Sequence, residues 1–164
     1  MSNWDNYFLK LVYQVAEKSK DPKTKIGAIL VNPDKSVISM GFNGPPMGVW
    51  DIPQRLDRPE KYFFFEHAER NAIFLAAKNG IKTNGSVLYT QGIPCCDCAR
   101  GVIQSGVCCV VIHKLWPYTP AYESNWTEGI KRSIAMFEEA GVLLVEVDKE
   151  LEVSGFCDGN RFNA

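Results

Sequence analysis

Residues 86–113 read SVLYTQGIPCCDCARGVIQSGVCCVVIH. The stretch holds a strand over Ser86–Thr90, a helix over Cys95–Gln104 that Gly106 ends, and a second strand over Cys108–His113. That second strand is apolar throughout, as expected where both sheet faces are covered. Working outward, Phe65–Asn79 reads as a helix with Ala68, Ala72, Ile73, Leu75 and Ala76 toward the core, stopped by Gly80. Downstream, Asn125–Ala140 is a helix with a buried stripe of Trp126, Ile130, Ile134 and Phe137, and Val142–Val147 is a further strand. Alternating helices and strands imply right-handed crossovers and parallel pairing, with helices on both faces.

The chain opens differently. Asn3–Ser19 reads as an amphipathic helix, with Trp4, Tyr7, Phe8, Leu11, Val12 and Val15 at helical spacing, stopped ahead of Pro22. Ile26–Val31 and Val37–Phe42, joined through Asn32-Pro33-Asp34, read as an antiparallel hairpin. Asn43–Pro59 is loop-like, with Pro45, Pro46, Pro53 and Pro59; Leu115–Ser124 is an aromatic loop and Lys149–Ala164 a tail. The fold expected is α/β, a three-layer α-β-α sandwich. Its five-stranded mixed sheet combines the antiparallel hairpin with parallel strands, in a single domain over residues 1–164.

The 164 residues suffice for a real core, and 46% hydrophobic with 23% charged residues is ordinary for a globular protein. A net charge of −1 argues against a nucleic-acid partner. Neither a signal peptide nor a membrane span is expected. The six cysteines are bunched at 95, 96, 98, 108, 109 and 157, which favours a reduced, cytoplasmic protein with a metal site over a disulfide framework.

His67-Ala68-Glu69 and Pro94-Cys95-Cys96-Asp97-Cys98 together provide one imidazole, two thiols at metal-ligand spacing, and a carboxylate that need not be a ligand. Catalytic zinc takes three protein ligands and leaves a fourth position open. His67, Cys95 and Cys98 supply that set, and Glu69 is left to move protons. Each half of the motif starts a helix, where partial positive charge favours thiolates. The alternative is a closed structural zinc site. Cys96, adjacent to Cys95, is poorly placed to complete one, and His113 is the other histidine. Cys96, Cys108, Cys109 and Cys157 read as structural.

H-x-E followed by P-C-x-x-C is a known signature of zinc deaminases, and the sequence resembles the cytidine deaminase-like zinc-dependent superfamily, within it the deoxycytidylate (dCMP) deaminases. The resemblance runs from about Ser19 to Val145. It includes Ser19-Lys20-Asp21-Pro22, Gly41-Phe42-Asn43-Gly44-Pro45-Pro46, Glu66–Ile73 and Pro94–Arg100. It implies hydrolytic deamination of dCMP to dUMP with release of ammonia, in deoxynucleotide metabolism that supplies dTTP. Glu69 would be the proton shuttle, and Zn2+ would be held once per chain, since only His67 and His113 are available as histidines.

Further roles follow from the same resemblance. Asn43 would hold the sugar hydroxyl, unless it is a turn asparagine before Gly44, and Ala68 lies in the substrate motif. Lys20, Lys23 and Lys25 could grip the phosphate or form a solvated basic face. Tyr118 or Trp116 could wall the base or merely pack. Gly44, Pro46 and Gly48 match the loop that binds the effectors dCTP and dTTP, with Mg2+ accompanying a triphosphate. Trp50–Phe65 departs from the best-known members. Relatives commonly self-associate, as homohexamers or dimers.

Competing readings are a deaminase of another cytosine nucleotide, nucleoside or nucleobase, a tRNA adenosine deaminase, and a zinc-stabilised binding protein. Glu69 speaks against the last, because a structural site has no use for that carboxylate.

Overall fold

The computed structural model describes residues 3–117 and 120–164; for Asn3 and residues 120–126 the backbone alone is described. The elements are α1 (Asn3–Ala16), β1 (Gly27–Val31), β2 (Val37–Phe42), a 3-10 turn (Pro53–Arg55), α2 (Lys61–Phe64), α3 (Ala68–Lys78), β3 (Val87–Thr90), α4 (Cys96–Gln104), β4 (Cys109–His113), α5 (Pro120–Ala140), β5 (Leu143–Val147), β6 (Ser154–Cys157) and β7 (Asn160–Asn163). The main sheet has five strands in the order β2-β1-β3-β4-β5. β1 is antiparallel to both β2 and β3, whereas β3, β4 and β5 run parallel. The mixed sheet read from the sequence is the one observed.

Alternation along the central strands builds two cores. Ile29 and Val31, Tyr89, and Val111 point to one face and meet Phe8, Leu9, Val12 and Tyr13 of α1. Ala28 and Leu30, Leu88, and Val110 and Ile112 point to the other and meet Ala68, Ala72 and Ala76 of α3, Ala99 and Val102 of α4, and Phe137 of α5. Trp126 of the expected α5 stripe lies outside the described side chains.

His113, at the end of β4, is fully buried. Its Nε2 lies 2.9 Å from the Lys149 carbonyl, which can only accept, so Nε2 carries the proton. Nδ1 then accepts from the Tyr13 hydroxyl at 2.7 Å. Both ring nitrogens are thus committed to joining α1, β4 and the C-terminal segment.

That segment is not the tail expected. β6 and β7 pair as an antiparallel hairpin through Asp158-Gly159, with φ of 47° and 81°. Asp-Gly with both φ positive is the turn that matches strand twist, so the signal was present in the sequence. Leu151, Cys157 and Ala164 are buried against the α1 face, and Lys25 N–H donates to the Phe156 carbonyl at 3.0 Å.

α3 also begins later than expected. Phe65 is extended, with ψ of 134°, and Glu66 forms a two-way backbone bridge with Gly44, at 3.1 and 2.9 Å. Tertiary pairing there overrides helix continuation, and α2 is a separate four-residue helix between the loop read over Asn43–Pro59 and the helix expected from Phe65.

α3 lies unusually close to β2. A methyl group on Gly41 would overlap the backbone of Ala68 and Ala72, and Ser39 Oγ donates to the Ala72 carbonyl at 2.7 Å. Gly41→Ala is therefore expected to push the first turn of α3 off the sheet. Overpacking costs about 1–3 kcal/mol, and contact with backbone rather than a flexible side chain puts this case at the upper end. Urea unfolding checks it: a midpoint equal to the native one would refute the close packing.

Candidate metal centre and substrate pocket

Two helix starts meet beside the sheet. His67 is the N-cap of α3, with φ −80° and ψ 152°, and Cys95 is the N-cap of α4, with φ −67° and ψ 170°. Both are extended residues turning into a helix, so their side chains are held at its positive end. Cys98, one turn into α4, is fully buried.

His67 Nδ1 lies 3.4 Å from Cys95 Sγ and 3.5 Å from Cys98 Sγ, and the three donor atoms lie within 4.8 Å of one another. Zinc at 2.3 Å from sulfur and about 2.05 Å from nitrogen, at a tetrahedral angle, requires S···N separations of about 3.6 Å. The donor set fits a zinc ion in both chemistry and spacing.

The three groups already share charge. The hydrogen bond from Cys98, with help from His67, holds the Cys95 thiol down at about 4. His67, bonded to Cys95, rises to about 9. Cys98 lies well above the usual thiol range because of its bond to Cys95 and its burial. A cluster that stabilises a thiolate beside an imidazole has the electron donors a soft cation needs.

Glu69 sits in the first turn of α3, 6% exposed, and lines the same pocket as His67, Ala68 and Cys95. Burial raises its pKa, against the lowering effect of His67. A carboxyl that can hold a proton in this position can also give it up, which is what a proton shuttle requires.

Arg70 ties the two helix starts together. Its Nε donates to Glu66 Oε1 at 2.6 Å, the oxygen that also accepts the His67 N–H at 2.9 Å. Its NH1 lies 3.7 Å from Asp97 Oδ2 in the first turn of α4. The chain entering α3 is thereby fixed relative to the cysteines. Helical period placed Arg70 near Glu66, but only the tertiary fold places Asp97 there.

Asn43 also lines the pocket and is 8% exposed. Its Oδ1 accepts the Ile26 N–H at 2.8 Å, and its Nδ2 donates to the Thr24 carbonyl at 2.8 Å and to Asp21 Oδ2 at 3.3 Å. The side chain is thus a clamp between the β1 entry and the loop after β2, more than a local turn residue.

The lysines expected at a phosphate do not line this pocket. Asp21, Thr24 and Ile26 of the same segment do. Lys25 Nζ reaches the Glu17 carbonyl at 3.4 Å, and Lys20 lies 3.5 Å from Asp51. The cations that line the pocket are Arg58 and Lys61, which the sequence reading missed because no local pattern marks them. Gly44, Pro46 and Gly48 lie in the adjacent loop and outside the lining. Trp116 lines the pocket, 2% exposed, packed 5.4 Å from the Phe162 ring. Tyr118 lies outside the described residues. Asp158, from the hairpin turn, completes one side.

Comparison with known proteins agrees with this geometry. Residues 2–114 match the family model for the cytidine and deoxycytidylate deaminase zinc-binding region. An uncharacterised deaminase encoded in the luxG 3′ region of Aliivibrio fischeri is 35% identical over 142 residues, covering 87% of this chain and 92% of that protein. Human deoxycytidylate deaminase is 36% identical over 110 residues, covering 63% of this chain; the match spans 61% of the human protein's length. The crystal structure of the dCMP deaminase of cyanophage S-TIM5 in complex with dCMP and dUMP superposes with a TM-score of 0.64 at 25% identity, covering 90% of this chain and 99% of that one. No helix among the described residues is long and apolar enough to cross a membrane.

Proposed function

The chain belongs to the cytidine and deoxycytidylate deaminase zinc-binding family, and from that premise we propose that it hydrolyses dCMP to dUMP and ammonia at a zinc centre held by His67, Cys95 and Cys98. The observation that carries this reading is the convergence of those three donors into one cluster, with His67, Cys95 and the buried Glu69 lining one pocket. The matching of relatives that act on deoxycytidylate supports the substrate.

Zinc in this donor set supplies a Lewis acid that lowers the pKa of bound water toward neutrality. The chain's own residues do the rest. Glu69 would accept one proton from the water and deliver it to N3 of the cytosine ring; once the hydroxyl is on C4, Glu69 would take its remaining proton and pass it to the amino group, which leaves as ammonia while the C4 carbonyl forms. One carboxylate serves all three positions because they lie on one edge of the base. Burial keeps bulk water from short-circuiting the transfer. Asn43 has spent both amide hydrogens, but among the described residues its Oδ1 accepts one hydrogen bond and can accept a second, from a sugar hydroxyl. Trp116 and Ala68 supply apolar wall for the base.

Regulation by dCTP and dTTP through Gly44, Pro46 and Gly48, Mg2+ carried with such a triphosphate, self-association, a role in dTTP supply and a cytoplasmic location belong to the same proposal. They rest on the family resemblance.

The test is ammonia release by the zinc-loaded protein with dCMP, deoxycytidine, dCTP and cytosine, each with and without dCTP or dTTP as effector. Turnover of dCMP is expected. Turnover of none, with zinc bound, would sink the reading.

A further inference from the structure

The pocket has a cationic side that the metal centre does not use. Arg58 and Lys61 line the same cavity as His67, Glu69 and Cys95 but are not among the donor atoms gathered for the metal. The two cations are not equivalent. Lys61 is 7% exposed, and its ammonium lies 2.9 Å from Asp21 Oδ2. Asp21 itself is fixed by the N–H groups of Lys23 and Thr24, at 2.8 and 3.2 Å on Oδ1. The charge of Lys61 is therefore matched by a carboxylate, and the pair acts as a buried strut that roots α2 beside Asn43.

Arg58 differs. Its guanidinium carbon lies 5.7 Å from the centre of the Tyr62 ring, a neighbour in the pocket lining. Among the described residues its guanidinium pairs with no carboxylate. A cation–π contact holds a guanidinium in place without cancelling its charge. The fork of N–H donors stays available, and that fork matches a phosphate group in two-point geometry. A phosphate monoester carries about −1.5 to −2 charges at neutral pH, enough to engage Arg58 fully. The Lys61–Asp21 strut positions the helix that carries Tyr62, and so sets where Arg58 can reach.

We propose that Arg58, seated on Tyr62, reads the 5′-phosphate of the substrate and makes the pocket selective for a nucleoside monophosphate over the free nucleoside. This rests on the cytosine-deamination reading above. It assigns a function to Trp50–Phe65, the stretch in which the sequence departs from the best-known members of the family, and it replaces Lys20, Lys23 and Lys25 in that role.

The experiment compares kcat/KM for dCMP and for deoxycytidine in the zinc-loaded native protein and in Arg58→Ala, Arg58→Lys and Arg58→Glu. Calorimetric binding of dUMP and of deoxyuridine to the same proteins gives a readout independent of turnover. The ratio of kcat/KM for dCMP to that for deoxycytidine is expected to fall about 10- to 100-fold in Arg58→Ala, the size of one charge-assisted contact. Arg58→Lys should retain part of it and Arg58→Glu should lose more. The affinity for dUMP relative to deoxyuridine should fall in step. Because Arg58 is exposed, the variants are expected to fold, and equal thermal midpoints check that they do. An unchanged ratio, or equal losses for both substrates, overturns the assignment of Arg58 while leaving the deamination reading intact. A native protein that turns over neither substrate and binds dUMP no better than deoxyuridine overturns both.

Discussion

Glu69→Gln is expected to cut turnover of dCMP by about 10²–10⁴-fold, the range that a positioned general acid/base contributes, while one zinc per chain is retained. The amide keeps the volume of the carboxyl and some of its hydrogen bonding, but it cannot accept and return a proton. Glu69 is buried at the start of α3, and burial disfavours its charged form. Removing the charge therefore relieves a desolvation cost, and the thermal midpoint of the variant should not fall. Three measurements decide the case: turnover, zinc content by mass spectrometry, and thermal midpoint. A variant that folds, binds zinc and turns over within about tenfold of the native rate would show that the proton travels by another group. A variant that loses zinc would show that Glu69 supports the ligand set.

Cys98→Ala is expected to abolish zinc retention and, with it, all measurable turnover. Cys98 is fully buried, its sulfur lies 3.5 Å from His67 Nδ1, and among the described residues the metal-ligand cluster consists of His67, Cys95 and Cys98 alone. Two remaining protein ligands fall short of the three that catalytic zinc sites use. A ligand that binds only the folded state at about a thousand times its Kd adds about 4 kcal/mol of stability. In a chain of this size that corresponds to about 8–16 °C in thermal midpoint. The native protein should lose about that much on treatment with a chelator, and Cys98→Ala should show no further loss on the same treatment. One zinc per chain in Cys98→Ala, or an equal chelator effect in both proteins, would mean the ion sits elsewhere.

Legibility differed from element to element for physical reasons. The strand–helix–strand unit of β3, α4 and β4 was readable because its strands are continuous apolar runs and its helix is closed by a glycine, all local features. The α3 boundary was less so. Phe65 and Glu66 satisfy helical spacing, but Glu66 exchanges backbone hydrogen bonds with Gly44, a residue 22 positions away, and that pairing decides their conformation. The C-terminal hairpin was announced by Asp158-Gly159, yet strands of four residues give too short an alternation to stand out from an irregular tail. Nothing local marked Arg58 or Asp158 as pocket residues, since a charged residue in a polar segment reads as solvated until the fold closes around it.

The sequence by itself marked the candidate site: His67, Glu69, Cys95 and Cys98 are picked out by residue type and short-range spacing. It also determined the sheet, through the periodicity of its strands and the handedness of their connections. Only the tertiary structure decided which charges face the pocket. It left Lys23 and Lys25 out of the lining, while Asp21, Thr24 and Ile26 of the same segment entered it. It brought in Lys61 on a short helix anchored by Asp21, Arg58 from the turn just before that helix, and Asp158 from a hairpin near the far end of the chain. Ligand spacing is a local property of the backbone. The walls of a pocket are set by packing between segments distant in sequence, and no local pattern encodes that.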